Sequence, residues 1–150
     1  HMRKMKVGKV TFTEAYKAVH EYRQKFPEKA VTFYAQNYPA MGWAVFMAGG
    51  SCPVIPCTDK AFLKDAAAME VEETDTDNYK KMVKSDIGSI IYSKSGTEIP
   101  VQLSSGKYVL KYIHPASGKI ETINKSLKIN GLYNLKVPDK KEGIYWFHKL

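Results

Sequence analysis

Arginine is almost missing from this chain. Of 23 Lys and Arg residues only Arg3 and Arg23 are Arg, and both lie near the N-terminus. Direct reading of base edges favours the bidentate guanidinium fork. The scattered lysines therefore read as a solvated basic surface, and nucleic acid is not an expected partner. Cysteine is scarce too, with Cys52 and Cys57 confined to SCPVIPC. No surrounding His and Cys cluster supplies the further ligands of a zinc site. Two buried thiols are favoured over a small disulfide loop constrained by Pro53 and Pro56, and the pair fixes no redox compartment. No apolar run approaches the roughly 18 residues that a membrane span requires. The phosphate-binding loop, the dinucleotide fingerprint, HExxH and the nucleophile elbow are all absent, so no cofactor is implied. Residues 70–78, EVEETDTDN, hold five carboxylates, but the central Gly of an EF-hand loop is missing. A chain of 150 residues is also too short for a complete (β/α)₈ barrel, which takes about 250.

What is present is a folded composition, 44% hydrophobic and 25% charged. The net charge of +8 is uneven. Residues 1–69 carry ten basic and five acidic side chains, 70–78 five acids and no base, and 79–150 thirteen basic against five acidic. Residues 70–78 thus read as an acidic linker before a basic domain. His1 ahead of Met2 reads as a tag remnant.

Residues 13–26 place Ala15, Val19, Tyr22 and Phe26 at helical spacing, with Thr11 or Thr13 as cap and Pro27 as stop. AVTFYA over 30–35 is β-branched and aromatic, which predicts a short strand. MGWAVFMA over 41–48 is apolar all round, the signature of a buried helix or strand in a larger body. A further helix is predicted over 59–69 with Asp59 as its cap. Short strands then recur at 87–93, 98–103, 107–113, 119–124, 127–129, 132–137 and 144–148, separated by Gly and Pro turns. That pattern predicts an antiparallel sandwich or barrel, with Pro100 at an edge. On 107–113, Tyr108, Leu110 and Tyr112 share one face and Val109, Lys111 and Ile113 the other. The fold class is therefore mainly β with N-terminal helices (α+β).

Candidate chemistry is thin. Glu14, Glu21 and Glu28 fall on or beside the first helix and Glu98, Glu121 and Glu142 on or beside separate strands, and all six read as surface carboxylates. A glycosidase pair would have to converge to about 5–10 Å on rigid elements. Aromatics crowd the β half, and an exposed ring on a sandwich can stack on a sugar through its apolar face. Tyr108, Tyr112 and Trp146, with the turn residue His114, are the carbohydrate-binding candidates.

Gly42-Trp43-Ala44-Val45-Phe46-Met47-Ala48-Gly49-Gly50-Ser51 resembles the late barrel segment of secreted bacterial glycoside-hydrolase-like proteins. Phe62 to Met69 resembles the helix that closes that barrel. Tyr112-Ile113-His114-Pro115-Ala116-Ser117-Gly118 matches an aromatic-Asp-Pro-Arg-Thr-Gly turn in their C-terminal β-sandwich, a collagen-binding-like domain. The Pro and Gly are kept, while His114 and Ala116 replace the Asp and Arg. Ile144-Tyr145-Trp146-Phe147 resembles the closing strand. The resemblance spans roughly residues 40–150. It implies a helical segment over 1–69 that ends a TIM barrel, a linker over 70–78 and an antiparallel β-sandwich over 79–150. It also implies an extracellular or periplasmic setting and an upstream catalytic barrel on the same polypeptide, so no catalytic residue carries over. The expected function is a noncatalytic accessory module of a carbohydrate-active enzyme that stabilises the barrel or assists binding of a polysaccharide or glycan. The alternatives are an extracellular, collagen-binding-like protein-binding module and a small independent hydrolase.

Overall fold

A computed structural model describes residues 11–31, 40–51 and 53–150. The chain forms two compact units, His1–Val54 and Ile55–Leu150. In the first, α1 (Phe12–Lys25) opens with a capping box. The Thr11 hydroxyl accepts from the Glu14 N–H and the Glu14 carboxylate accepts from the Thr11 N–H, each at 3.2 Å. It buries Ala15, Tyr16 and Val19 and packs on α2 (Ala40–Met47). The apolar segment is thus a helix, and Trp43, Ala44 and Met47 are fully buried in it. The strand expected over 30–35 lies mostly outside the described residues. Val31 itself is tied to Ser51, whose N–H donates to the Val31 carbonyl at 2.7 Å.

The second unit opens with α3 (Lys60–Ala68), capped by Asp59, which accepts from the Phe62 N–H at 2.9 Å. Eight strands follow: β1 (Glu70–Glu72), β2 (Tyr79–Lys84), β3 (Gly88–Ser93), β4 (Glu98–Gln102), β5 (Gly106–Ile113), β6 (Ile120–Ile129), β7 (Leu132–Lys136) and β8 (Gly143–Lys149). Six make one antiparallel sheet in the order β1-β2-β3-β8-β5-β6, and β4 pairs β7 in a second. The architecture is mainly β in two sheets, preceded by three helices, as the composition and turn spacing predict.

Period-2 alternation sets the core. Tyr108, Leu110 and Tyr112 of β5, Tyr145 and Phe147 of β8 and Ile91 of β3 pack against Ile99 and Val101 of β4 and Leu135 of β7. The opposite face of the large sheet meets α3, where Phe62 stacks edge-on against Trp146 at 5.3 Å. A strand covered on both sides has no solvent face, and Ile144 to Phe147 of β8 are accordingly all buried. The helix expected with residues 1–69 thus packs with the strands.

The acidic segment 70–78 is a correction, because part of it is strand rather than linker. Glu70–Glu72 pair with Lys81–Val83. Its charge has a local partner, since Glu72 lies 2.6 Å from the Lys81 ammonium and Asp77 lies 3.4 Å from that of buried Lys80. The strands expected at 119–124 and 127–129 are a single β6 interrupted by two bulges. Tyr108 faces Leu127, Leu110 faces Asn124 and Lys111 faces Thr122, so β6 carries two extra residues against β5. The Asn124 side-chain oxygen accepts from the Ser126 N–H at 2.9 Å and holds this irregular stretch. Pro100 is exposed on β4, as an edge position requires. The His114–Gly118 turn needs its glycine. Gly118 has φ +73°, and a Cβ there would overlap the Pro56 carbonyl.

Candidate functional site

Two strands cannot cover six, and the second sheet leaves part of the first open. Beside β7, where it approaches β5 and β6, lies a cavity of about 560 Å³, within the range of small-ligand sites. Leu110, Tyr112, Leu135 and Tyr145 form its floor, all of them core residues. Tyr133 and Ile123 line it as well; Tyr133 is half-buried and Ile123 is 53% exposed. Glu121, Asn134, Lys136 and Lys141 supply polar groups.

Two tyrosines hold the β7–β8 connection in place. The Tyr112 hydroxyl donates to the Glu142 carbonyl and the Tyr145 hydroxyl to the Lys141 carbonyl, each at 2.7 Å. The connection passes through Lys140 at φ +61°, a left-handed conformation that costs energy for a residue with a Cβ. Burial pushes the Tyr145 hydroxyl up to about 12, with Tyr112 adding to the shift. Burial likewise raises Tyr112, helped by Glu121 and Glu142. Both phenols therefore remain neutral donors around pH 7. Tyr92 is raised by burial and then by Glu142, whose carboxylate accepts from its hydroxyl at 3.1 Å.

A charged cluster borders the same cavity. His114 Nε2 lies 3.2 Å from the Glu121 carboxylate, an ion-pair distance without the alignment of a hydrogen bond. The Lys141 ammonium is 3.7 Å from the other Glu121 oxygen and 5.1 Å from the centre of the Tyr112 ring. The His114 contact first, and Lys141 after it, hold the Glu121 carboxyl below its ordinary range. Glu121 is thus an ionised acceptor near neutral pH.

The four residues singled out from sequence do not form one surface. Tyr112 lines the cavity, and His114 packs on its ring at 4.7 Å. Tyr108 is 0% exposed and its hydroxyl donates to the Ser104 carbonyl at 2.6 Å. Trp146 is 0% exposed on the opposite face of the sheet, with its indole N–H donating to Asp65 at 2.9 Å. This corrects the expectation of exposed stacking platforms at Tyr108 and Trp146. Their ring faces are used for packing, and that of Tyr112, only 5% exposed, is largely so. The residues alone set Glu121 down as a surface carboxylate and did not single out Ile123, Asn134, Lys136 or Lys141. The one available signal was Glu121, which shares the 112–121 hairpin with Tyr112 and His114.

The second charged cluster anchors α3. Asp65, 6% exposed, accepts from Trp146 and lies 2.6 Å from His148 Nδ1. Lys111 sits over the other part of this arrangement, 5.0 Å from the Trp146 ring centre. Cys57, just before α3, is a buried free thiol whose pKa burial raises, which makes it a poor nucleophile. Among the described residues no group of three His, Cys, Asp or Glu side chains is arranged to hold a metal. No helix among them is long and apolar enough to cross a membrane.

Comparisons with known proteins find a family model and solved structures that resemble this chain in part. The model of a family described as a domain of unknown function (DUF6298) matches residues 1–69. A solved structure described as a glycoside hydrolase is similar over 55% of this chain, with 14% identity and a TM-score of 0.40. The chain spans 20% of that structure's length. No curated protein matches.

Proposed function

We propose that this chain is a noncatalytic accessory module of a carbohydrate-active enzyme, and that it binds a glycan in the cavity beside β7. The observation that carries this reading is the cavity's composition. Its floor is apolar and aromatic, Tyr133 is a partly exposed ring beside it, and the polar residues Glu121, Asn134, Lys136 and Lys141 edge it. Sugars present the matching surface of C–H patches edged by hydroxyls. The floor tyrosines use their hydroxyls to fix the loop carrying Lys141, so the cavity is pre-formed and binding need not order it.

In this reading residues 1–69 end a glycosidase-type barrel, as the Gly42–Ser51 and Phe62–Met69 resemblances imply. The catalytic carboxylates then belong to barrel strands outside this chain, and the setting is extracellular or periplasmic. Titration of the chain with a panel of neutral and acidic oligosaccharides, followed by amide chemical shifts, tests the proposal. Shifts should centre on Ile123, Tyr133 and Asn134. Tyr133→Ala should weaken binding about tenfold, the equivalent of about 1.4 kcal/mol from a lost aromatic contact. Failure of the whole panel to bind would overturn the glycan role.

A further inference from the structure

The charges and backbone groups at the cavity narrow the kind of sugar, and this step rests on the glycan reading above. Two lysines, Lys136 and Lys141, are among the residues that line it, beside a single carboxylate, Glu121. That carboxylate already lies 3.2 Å from His114 Nε2 and 3.7 Å from the Lys141 ammonium. Lys141 reaches it at 3.7 Å, a loose pair, and an ammonium has three donors to share. Lys136 makes no ion pair with any other described residue. The surrounding domain adds to the bias, with thirteen basic side chains against five acidic over 79–150.

The backbone contributes as well. The Val137 N–H donates to the Thr97 carbonyl and the Leu103 N–H to the Gly131 carbonyl, both at 2.8 Å. These bonds set the phase of the β4–β7 ladder, in which bonded and non-bonded pairs alternate. Asn134 faces Pro100, which has no N–H to give, and Lys136 faces Glu98. Both fall in the non-bonded phase. Their N–H and C=O groups therefore point away from β4, on the side where these two residues line the cavity. Two main-chain N–H donors and two carbonyls thus border a site that Lys136 and Lys141 also line and that holds one charged acceptor, Glu121.

A sugar carboxylate is acceptor-only and requires such donors, whereas a neutral hydroxyl supplies its own proton. We propose that this cavity takes a uronate-bearing oligosaccharide. Its carboxylate is held by Lys136 and Lys141, and a neighbouring hydroxyl donates to Glu121.

The test is calorimetric titration of the whole chain with short galacturonate, glucuronate and mannuronate oligomers. Each is compared with its methyl ester, and oligoglutamate serves as a charge control. At least one free acid should bind about tenfold or more tightly than its ester, and added salt should weaken it. Lys136→Ala and Lys141→Ala should each cost about tenfold for the acid and little for the ester, with unchanged circular dichroism showing that the exposed lysines are not needed for folding. Equal binding of acid and ester, or binding of neutral sugars only, overturns the uronate assignment and leaves the glycan reading standing. Oligoglutamate binding as tightly as the best uronate overturns it in favour of bare charge attraction. Binding of no sugar at all removes both.

Discussion

The two faces of the six-stranded sheet are made by the same strands and finished in different ways. On β8, Trp146 and His148 look towards α3, while Tyr145 and Phe147 look towards β4 and β7. The helix face is sealed. Phe62 covers the indole, and the buried Asp65 carboxylate takes the indole N–H and contacts the imidazole. The sandwich face is rich in tyrosine and open at one side, because two strands cover only part of six. Polar groups on the first face have partners inside the fold. On the second, the ladder phase turns the Asn134 and Lys136 backbone groups away from β4. The difference teaches that burial commits some residues of one type to packing and leaves others open. Tyr108 is packing, while Tyr133 remains partly open at the cavity.

The sharpest way to break this contrast is to empty the sealed face. Trp146→Ala should cost about 3–5 kcal/mol of stability in urea unfolding, the usual range for deleting a buried Trp. Tyr133→Ala should cost less than half as much, since its ring is partly solvated. Equal losses would mean that the two faces are equally structural. Next in size is Asp65→Ala, which strands the Trp146 N–H in the interior and should cost about 1–3 kcal/mol. It should leave binding at the cavity intact, and a change in ligand affinity would show that the faces are coupled.

The smallest effect lies on the open face. The Glu121 carboxyl titrates below its ordinary range. A depressed folded pKa contributes stability above the unfolded value and loses it as the pH falls through the folded value. For so exposed a group the change in stability is slight, so the titration itself is the readout. Side-chain carboxyl NMR should place the Glu121 midpoint below the ordinary glutamate range, and His114→Ala should move it upward. An unmoved midpoint would mean that His114 does not hold Glu121.

Much of the fold was legible in the residues. A cap at Thr11 or Thr13, the cap Asp59, the Gly and Pro turns and the alternation of Tyr108, Leu110 and Tyr112 all act locally, and local chemistry is what a sequence displays. What was hidden depends on partners distant in the chain. β1 reads as acidic linker because its reason to be a strand, Lys81 across the ladder, lies outside it. β6 reads as two strands because its bulges are defined only against β5. Asp65 looks like one more helix carboxylate until His148, 83 residues on, reaches it. The site was less legible still. A Tyr or Trp on a strand shows its alternation but not which face a helix will close, and Trp146 fell on the closed one. Lys136 and Asn134 acquire meaning only through the ladder phase that Pro100 helps to set.

The position of β8 has a consequence for how the domain comes into being. It lies between β3 and β5, so β1-β2-β3 and β5-β6 have no ladder to each other until it arrives. During translation the ribosome releases two unjoined half-sheets with raw edges, along with a helix whose indole partner does not yet exist. Local hairpins can form early, but the joining step waits for a strand made after the other seven and for contacts of long sequence separation, the class that folds slowly. The interval before β8 emerges is therefore the time of greatest aggregation risk. Slowing elongation just before Gly143 would prolong that exposure, and a chaperone that shields the β3 and β5 edges would relieve it.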